Sequence, residues 1–229
     1  MLRNPKANTS DLIAEAREYL AAIEFDLPLS IEGVQFSCPY SYRAASLREL
    51  LRHRMLDLTL ASISLLEQDR VVPAAIISRA ATETVALLYA LHHEIAKFLR
   101  TPDESRIEAF LKTALVGSRN PDHPIQATNI LNAIDKLDKE IPAFRLCYDG
   151  LSEFAHPNWS GVLGSYGNIN HAESTIALGN RDNSKGMRAA AFVTASALST
   201  FCYYYDSLAD LLRSFDNHFD SAEPTTGGA

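Results

Sequence analysis

The chain has 229 residues, enough for one large domain or two small ones. A hydrophobic fraction of 47% supports a substantial core. The net charge of −7, from 21 basic and 28 acidic residues, opposes non-specific nucleic-acid binding, which depends on neutralising phosphates. The 3 cysteines, Cys38, Cys147 and Cys202, are far apart and form no CxxC pair, so neither a disulfide framework nor a zinc ribbon is indicated. No uninterrupted apolar run approaches the roughly 20 residues of a membrane span, and the opening MLRNPKANTS lacks the apolar core of a signal peptide. The expectation is a cytoplasmic protein with no membrane partner, no cofactor and no metal.

In chain order, Thr9-Ser10-Asp11 starts a helix that runs to about Phe25. Residues 26–42 contain Pro28, Gly33 and Pro39 and read as a loop with a short extended piece near Val34–Phe36. A long helix follows over 43–68. Its segment RAASLRELLRHR puts Arg48 and Arg52 on one face and Arg43 and Arg54 roughly opposite, so the charge is spread and reads as solvated. Pro73 suits the first turn of a second long helix ending near Leu99. Thr101 as N-cap and Pro102 at the first position predict the next start, with an end near Gly117. SRNPDHP is a turn, 125–140 is helical, and 143–156 forms a further helix.

From Gly161 to Asn183 the chain is rich in Gly and Asn, which predicts a β-hairpin or ordered loop, with Gly161, Gly164 and Gly167 as a flexible lead-in. The last long helix spans 185–215, apolar at Phe192, Leu198, Phe201, Tyr205, Leu208 and Leu212, and SAEPTTGGA follows as a disordered tail. The predicted fold is therefore mainly α, a bundle of long helices with a small β-hairpin or ordered-loop insertion near 161–183. The domain reading is one helical domain over 1–219. Residues 1–42 form its N-terminal helix and loop, 43–160 and 184–217 supply bundle helices, and 220–229 are tail.

Two helix faces carry chemistry. On a wheel of 143–156, Phe144, Cys147, Leu151, Phe154 and Ala155 share the core face, while Tyr148, Ser152 and His156 stand at its edge beside Arg145. A boundary histidine four residues beyond a serine suits general acid-base work. It equally suits a helix end, because Pro157 disfavours helical geometry in the residue before it and histidine favours the dipole's negative end. On the helix through 76–93, Ile77, Ala81, Val85, Leu88, Leu91 and Ile95 form the core face. Arg79 and Glu83, four apart, lie opposite in a stripe continued by Ala86, Ala90, His93 and Lys97. Glu153-Phe-Ala-His156 has ExxH spacing but no second ExxH, and no Gly-Lys-Ser/Thr follows the glycines.

The combination of Arg79-x-x-x-Glu83 with Leu151-Ser152-x-x-x-His156-Pro157 resembles a group of uncharacterised bacterial helical proteins loosely related to HEPN-type domains (higher-eukaryote and prokaryote nucleotide-binding). The resemblance covers about residues 43–215. It implies a helical bundle, homo-oligomerisation and membership of a superfamily that includes ribonucleases of toxin and phage-defence systems. Those ribonucleases carry an Arg followed roughly four to six residues later by a His; Arg48…His53 and Arg213…His218 have that spacing here, whereas His156 has no such arginine upstream. The resemblance thus implies RNA or a nucleotide as partner. His156 would be general acid or base, Arg79 the phosphate contact, Glu83 its orienting group and Ser152 the support of the imidazole. The alternative is a non-enzymatic homo-oligomeric interaction module, with Tyr203-Tyr204-Tyr205 as the associating surface.

Overall fold

The computed structural model describes residues 7–179 and 183–220. It is mainly α, with one small antiparallel hairpin. Helix α1 spans Thr9–Glu24 and begins one residue earlier than its sequence signal: Asn8 is the N-cap, and its side chain and that of Asp11 satisfy each other's backbone N–H groups. The loop that follows contains a 3-10 turn over Gly33–Gln35, where an extended piece is predicted. Helix α2, Pro39–Glu67, starts four residues before the expected Arg43 because the Cys38 side chain accepts from the Ser41 N–H and Pro39 takes the first turn.

Three long helices build the bundle: α2, α3 over Val71–Arg100, and α8 over Ser184–Asp220. At 37 residues α8 is roughly 55 Å long. It continues through Asp220, which the sequence assigned to the tail; the rest of that tail lies outside the described residues. Helix α3 is the central element. Ala81, Val85, Ala86, Leu88, Leu91 and Ile95 are all fully buried, so Ala86 belongs to the core rather than to a polar stripe. It packs against α2, α8, α5 and α6, and keeps a narrow half-open stripe through Arg79, Glu83, Ala90, His93 and Lys97. That accounts for its apolar composition, which by length and hydropathy would suffice to cross a bilayer.

Where α2, α3 and α8 meet, small residues let the backbones approach. Ser62, Ser78 and Thr194 are completely buried there, and their hydroxyls pair mutually at 2.8–3.1 Å. The Ser78 and Thr194 hydroxyls also lie within reach of the carbonyls one turn back, at 2.8 and 2.9 Å, so no oxygen is stranded.

The segment RAASLRELLRHR is not a solvated face. Arg52 is 8% exposed; its Nε donates to the Ile23 carbonyl at 2.8 Å and Nη1 to the Tyr205 hydroxyl at 3.0 Å, and it also donates to the Phe25 carbonyl. Arg48 lies over the Tyr205 ring at 3.5 Å, and the Tyr205 hydroxyl donates to Glu49. The end of α1 is thus tied to α2 and α8.

Helix α4 spans Glu104–Val116. Its N-cap is Asp103, which accepts from the Arg106 N–H, so the Thr101-Pro102 start is displaced by two residues. Helix α5, Ile130–Glu140, is shorter than expected, because the segment before it pairs with Ser118 instead: Ser118 bridges to Gln126 in parallel fashion, and the Ser118 N–H donates to the Ile125 carbonyl. Gly117 makes that approach feasible, since a Cβ there would lie 2.7 Å from the Ala127 Cα. Helix α6, Phe144–Ala155, is followed by a short α7, Leu163–Tyr166, and then by β1, Gly167–Asn170, paired antiparallel with β2, Thr175–Leu178. The hairpin stands away from the bundle, with Ile169, Ile176 and Leu178 exposed. Of the hairpin reading's residues, 180–182 lie outside those described.

Candidate functional site

Helices α3 and α6 meet at Arg79. Its Nε donates to the Ser152 hydroxyl at 2.9 Å and its Nη2 to the Tyr148 hydroxyl at 2.5 Å. The Tyr148 hydroxyl in turn donates to Glu83 Oε1 at 2.9 Å, and that carboxylate lies 3.3 Å from Arg79 Nη2. Each of these atoms arrives by helical periodicity. Arg79 and Glu83 are one turn apart on α3, Tyr148 and Ser152 one turn apart on α6, and the two pairs face each other. Ser152 also donates back to the Tyr148 carbonyl at 2.9 Å, so its hydroxyl serves Arg79 and its own helix rather than the His156 imidazole.

Tyr148 is the residue that wheel geometry misassigned. It is 4% exposed and forms part of the buried face of α6, while Ala155 is exposed. Its phenol is the hinge of the cluster, accepting from a guanidinium and donating to a carboxylate. Burial, reinforced by the Glu83 charge, holds its pKa above the usual range, and Arg79 opposes this only in part. The phenol therefore stays a proton donor at neutral pH. Arg79 also lies against the Tyr148 ring face, 4.8 Å from its centroid.

His156 sits apart from this cluster. It is the C-cap of α6, with an extended backbone (φ −89°, ψ 143°), as Pro157 demands of the residue before it. The imidazole is exposed and makes no side-chain hydrogen bond among the described residues. The chain turns sharply after it. The Asn158 side chain donates to Glu153 at 2.7 Å and accepts from the Gly161 N–H at 3.1 Å. Gly161 lies so close that a Cβ would be 2.2 Å from the His156 carbonyl oxygen, so this glycine permits a tight return rather than a flexible lead-in. Of the four residues expected to form the site, the structure joins Arg79, Glu83 and Ser152, and leaves His156 one turn further along α6 at the solvent edge.

The two Arg…His spacings are occupied otherwise. Arg48 binds the Tyr205 carbonyl and Glu49, while His53 Nε2 contacts the Pro28 carbonyl at 2.8 Å. Arg213 pairs with Asp210, and His218 packs edge-on against Phe98. In the Tyr203–Tyr205 run, Tyr204 is buried and donates to Glu140, Tyr205 belongs to the arginine network, and Tyr203 alone is 67% exposed.

On its α2 side Arg79 opens onto a groove of about 360 Å³ between α2, α3, α4 and the loop 117–128. Arg54 and Arg119 line it with Arg79, beside Glu83, Thr84 and Thr128. Sequence reasoning missed Arg54 and Arg119. The first reads as one charge of a dispersed set, and the second is a single loop arginine whose position depends on the bridge between Ser118 and Gln126.

The fold and site thus define a helical bundle with a hydrogen-bonded arginine cluster at the mouth of a cationic groove. Comparison with protein-family models, with curated proteins and with solved structures finds no match for this chain.

Proposed function

We propose that this chain is a HEPN-like helical domain that binds RNA or a nucleotide, and that it acts in bacterial stress or phage defence. Arg79 would be the phosphate contact and His156 the residue for general acid-base cleavage. The observation that carries the reading is the fixation of Arg79: Ser152, Tyr148 and Glu83 hold its guanidinium in one orientation, at the edge of a groove that opens to solvent. A preset guanidinium recognises a phosphate with little loss of side-chain entropy. His156, exposed one turn beyond Ser152, is accessible to a strand lying along α6.

The test is incubation of a mixed RNA pool with the purified protein, with His156→Ala and with Arg79→Ala, folding being checked by circular dichroism. Cleavage lost in both variants supports a ribonuclease. Binding without cleavage, weakened by Arg79→Ala, supports the binding half alone. Neither binding nor cleavage overturns the reading.

A second reading, a homo-oligomeric interaction module, draws on a different observation. Ile169, Ile176 and Leu178 are exposed on a two-stranded hairpin whose described residues, Gly167 apart, all face solvent, and such a hairpin is marginally stable alone. Light scattering coupled to size exclusion, on the native chain and on Ile169→Thr with Ile176→Thr, tests it. A multimer that the double substitution dissociates supports this reading, and a monomer at all concentrations removes it.

A further inference from the structure

We infer that the groove between α2, α3, α4 and the loop 117–128 is a binding site for a small phosphate-bearing anion, with Arg54 and Arg119 as its principal charges and Arg79 as its preset wall. The inference rests on Arg79 as the anion contact but not on any role for His156. It assigns the ligand's phosphates to the α2 side of Arg79, away from the end of α6.

The chain carries a net −7, yet this groove gathers three arginines with Glu83 as the one carboxylate in its lining. Glu83 is already engaged, by Arg79 at 3.3 Å and by the Tyr148 hydroxyl at 2.9 Å. Neither Arg54 nor Arg119 forms an ion pair among the described residues, whereas Arg17, Arg48, Arg52, Arg106, Arg145 and Arg213 all do. Arg43, Arg70 and Arg100 are likewise without an ion pair among the described residues, but Arg54 and Arg119 line one concave surface together, and that concentration of positive charge favours an external anion.

Geometry points the same way. Arg54 is directed by a hydrogen bond from its Nε to the Thr84 hydroxyl at 3.2 Å, and that hydroxyl donates to the Ala80 carbonyl at 3.0 Å. The contact uses one nitrogen and leaves the Nη atoms for a ligand. Arg119 stands on a loop whose course is fixed on both sides: the Ser118 N–H donates to the Ile125 carbonyl at 2.9 Å, and the Ala127 N–H donates back to Ser118 at 3.0 Å. The Thr113 and Thr128 hydroxyls, paired at 3.1 Å, close α4 against the end of this loop and add polar lining. A volume of about 360 Å³ lies within the range of small-molecule pockets, roughly 300–1,000 Å³. It admits a diphosphate or the phosphate end of a nucleotide.

Isothermal titration of inorganic pyrophosphate into the full chain tests this, beside Arg54→Gln with Arg119→Gln, the same pair changed to Lys, and His156→Ala. Both arginines are exposed, so the substitutions leave the core intact. The expected result is saturable binding that weakens as salt rises, falls at least tenfold in the double Gln variant, survives in the double Lys variant, and is unchanged in His156→Ala. No binding by the native chain, or equal binding by the double Gln variant, would overturn the inference. The outcomes separate it from the cleavage reading: pyrophosphate binding without RNA cleavage keeps the groove and removes the nuclease, while RNA cleavage without pyrophosphate binding does the reverse.

Discussion

The Arg79 guanidinium donates to the Ser152 hydroxyl at 2.9 Å and so joins two helices whose contacting residues stand 73 positions apart. Glu83, one turn along α3, pairs with that arginine on its own helix, but the two hydrogen bonds that fix its direction come from α6. Its direction is a tertiary property, set when α6 docks on α3, and any anion recognition built on it depends on that docking.

The Tyr148 hydroxyl is therefore expected to matter to stability as well as to the site. Tyr148→Phe leaves the buried ring in place and removes the oxygen that both Arg79 and Glu83 use. The expected cost is about 0.5–1.5 kcal/mol, the net contribution of a hydrogen bond, because Arg79 and Glu83 are 32% and 26% exposed and keep access to water. Urea unfolding monitored by circular dichroism measures it. A midpoint unchanged from the native chain would show that Arg79 and Glu83 satisfy each other without the phenol.

Gly161→Ala places a methyl group 2.2 Å from the His156 carbonyl oxygen and 2.9 Å from that of Phe154. Both contacts are backbone, so the turn after α6 must open. A destabilisation of about 1–3 kcal/mol is expected, together with displaced ring resonances for His156 in a proton–nitrogen correlation spectrum. Native-like resonances would mean that the turn has slack.

The sequence makes the long helices legible because their apolar spacing extends over many turns, and it brings out Arg79, Glu83 and Ser152 because i, i+4 spacing is local. What it hides is non-local. Tyr148 reads as a boundary residue until α3 covers it, and Ala86 reads as part of a polar stripe until neighbouring helices enclose α3. Gln126 carries no strand signal; its bridge to Ser118 is a tertiary contact, and Arg119 lines the groove from the residue beside that bridge. The starts of α2 and α4 differ for a local reason: the caps are Cys38, a residue outside the usual N-cap set, and Asp103, which stands two residues beyond Thr101.

His92 should make the fold sensitive to mild acid. Burial, helped by the neighbouring His93, lowers its pKa below the ordinary 6.5, against a smaller opposing pull from Glu140, and its Nδ1 is buried without a hydrogen-bond partner. The unfolded chain therefore takes up this proton first as pH falls. The stability associated with neutral His92 is complete above pH 6.5 and is lost as pH drops through the depressed folded value. His92→Phe keeps an aromatic ring against Tyr204 and removes the titration. Denaturation at pH 7.5 and pH 5.5 should show a smaller loss in the variant than in the native chain, and an equal loss would assign the acid sensitivity to other groups.

Thiol chemistry offers an independent check on packing. Burial, with Asp206 nearby, pushes the Cys202 thiol up to about 11, so roughly a thousandth of it is ionised at pH 8. Cys147, beside a cavity of about 30 Å³ between α3, α6 and α8, is raised in the same direction by burial. Reaction with Ellman's reagent at pH 8 should be slow at both positions in the folded protein and rapid in guanidinium. Fast modification of Cys202 without denaturant would indicate that α8 opens locally.

The nearly all-round enclosure of α3 also bears on synthesis. This helix is complete by Arg100, but α8, one of its principal covers, begins at Ser184. A ribosome-bound chain therefore holds α3, with its 18-residue window apolar enough for a bilayer span, without its α8 cover for the time needed to make more than 80 further residues. Until α8 emerges, the face of α3 that it covers stays open, so the packing of the central helix waits on an element more than 80 residues downstream.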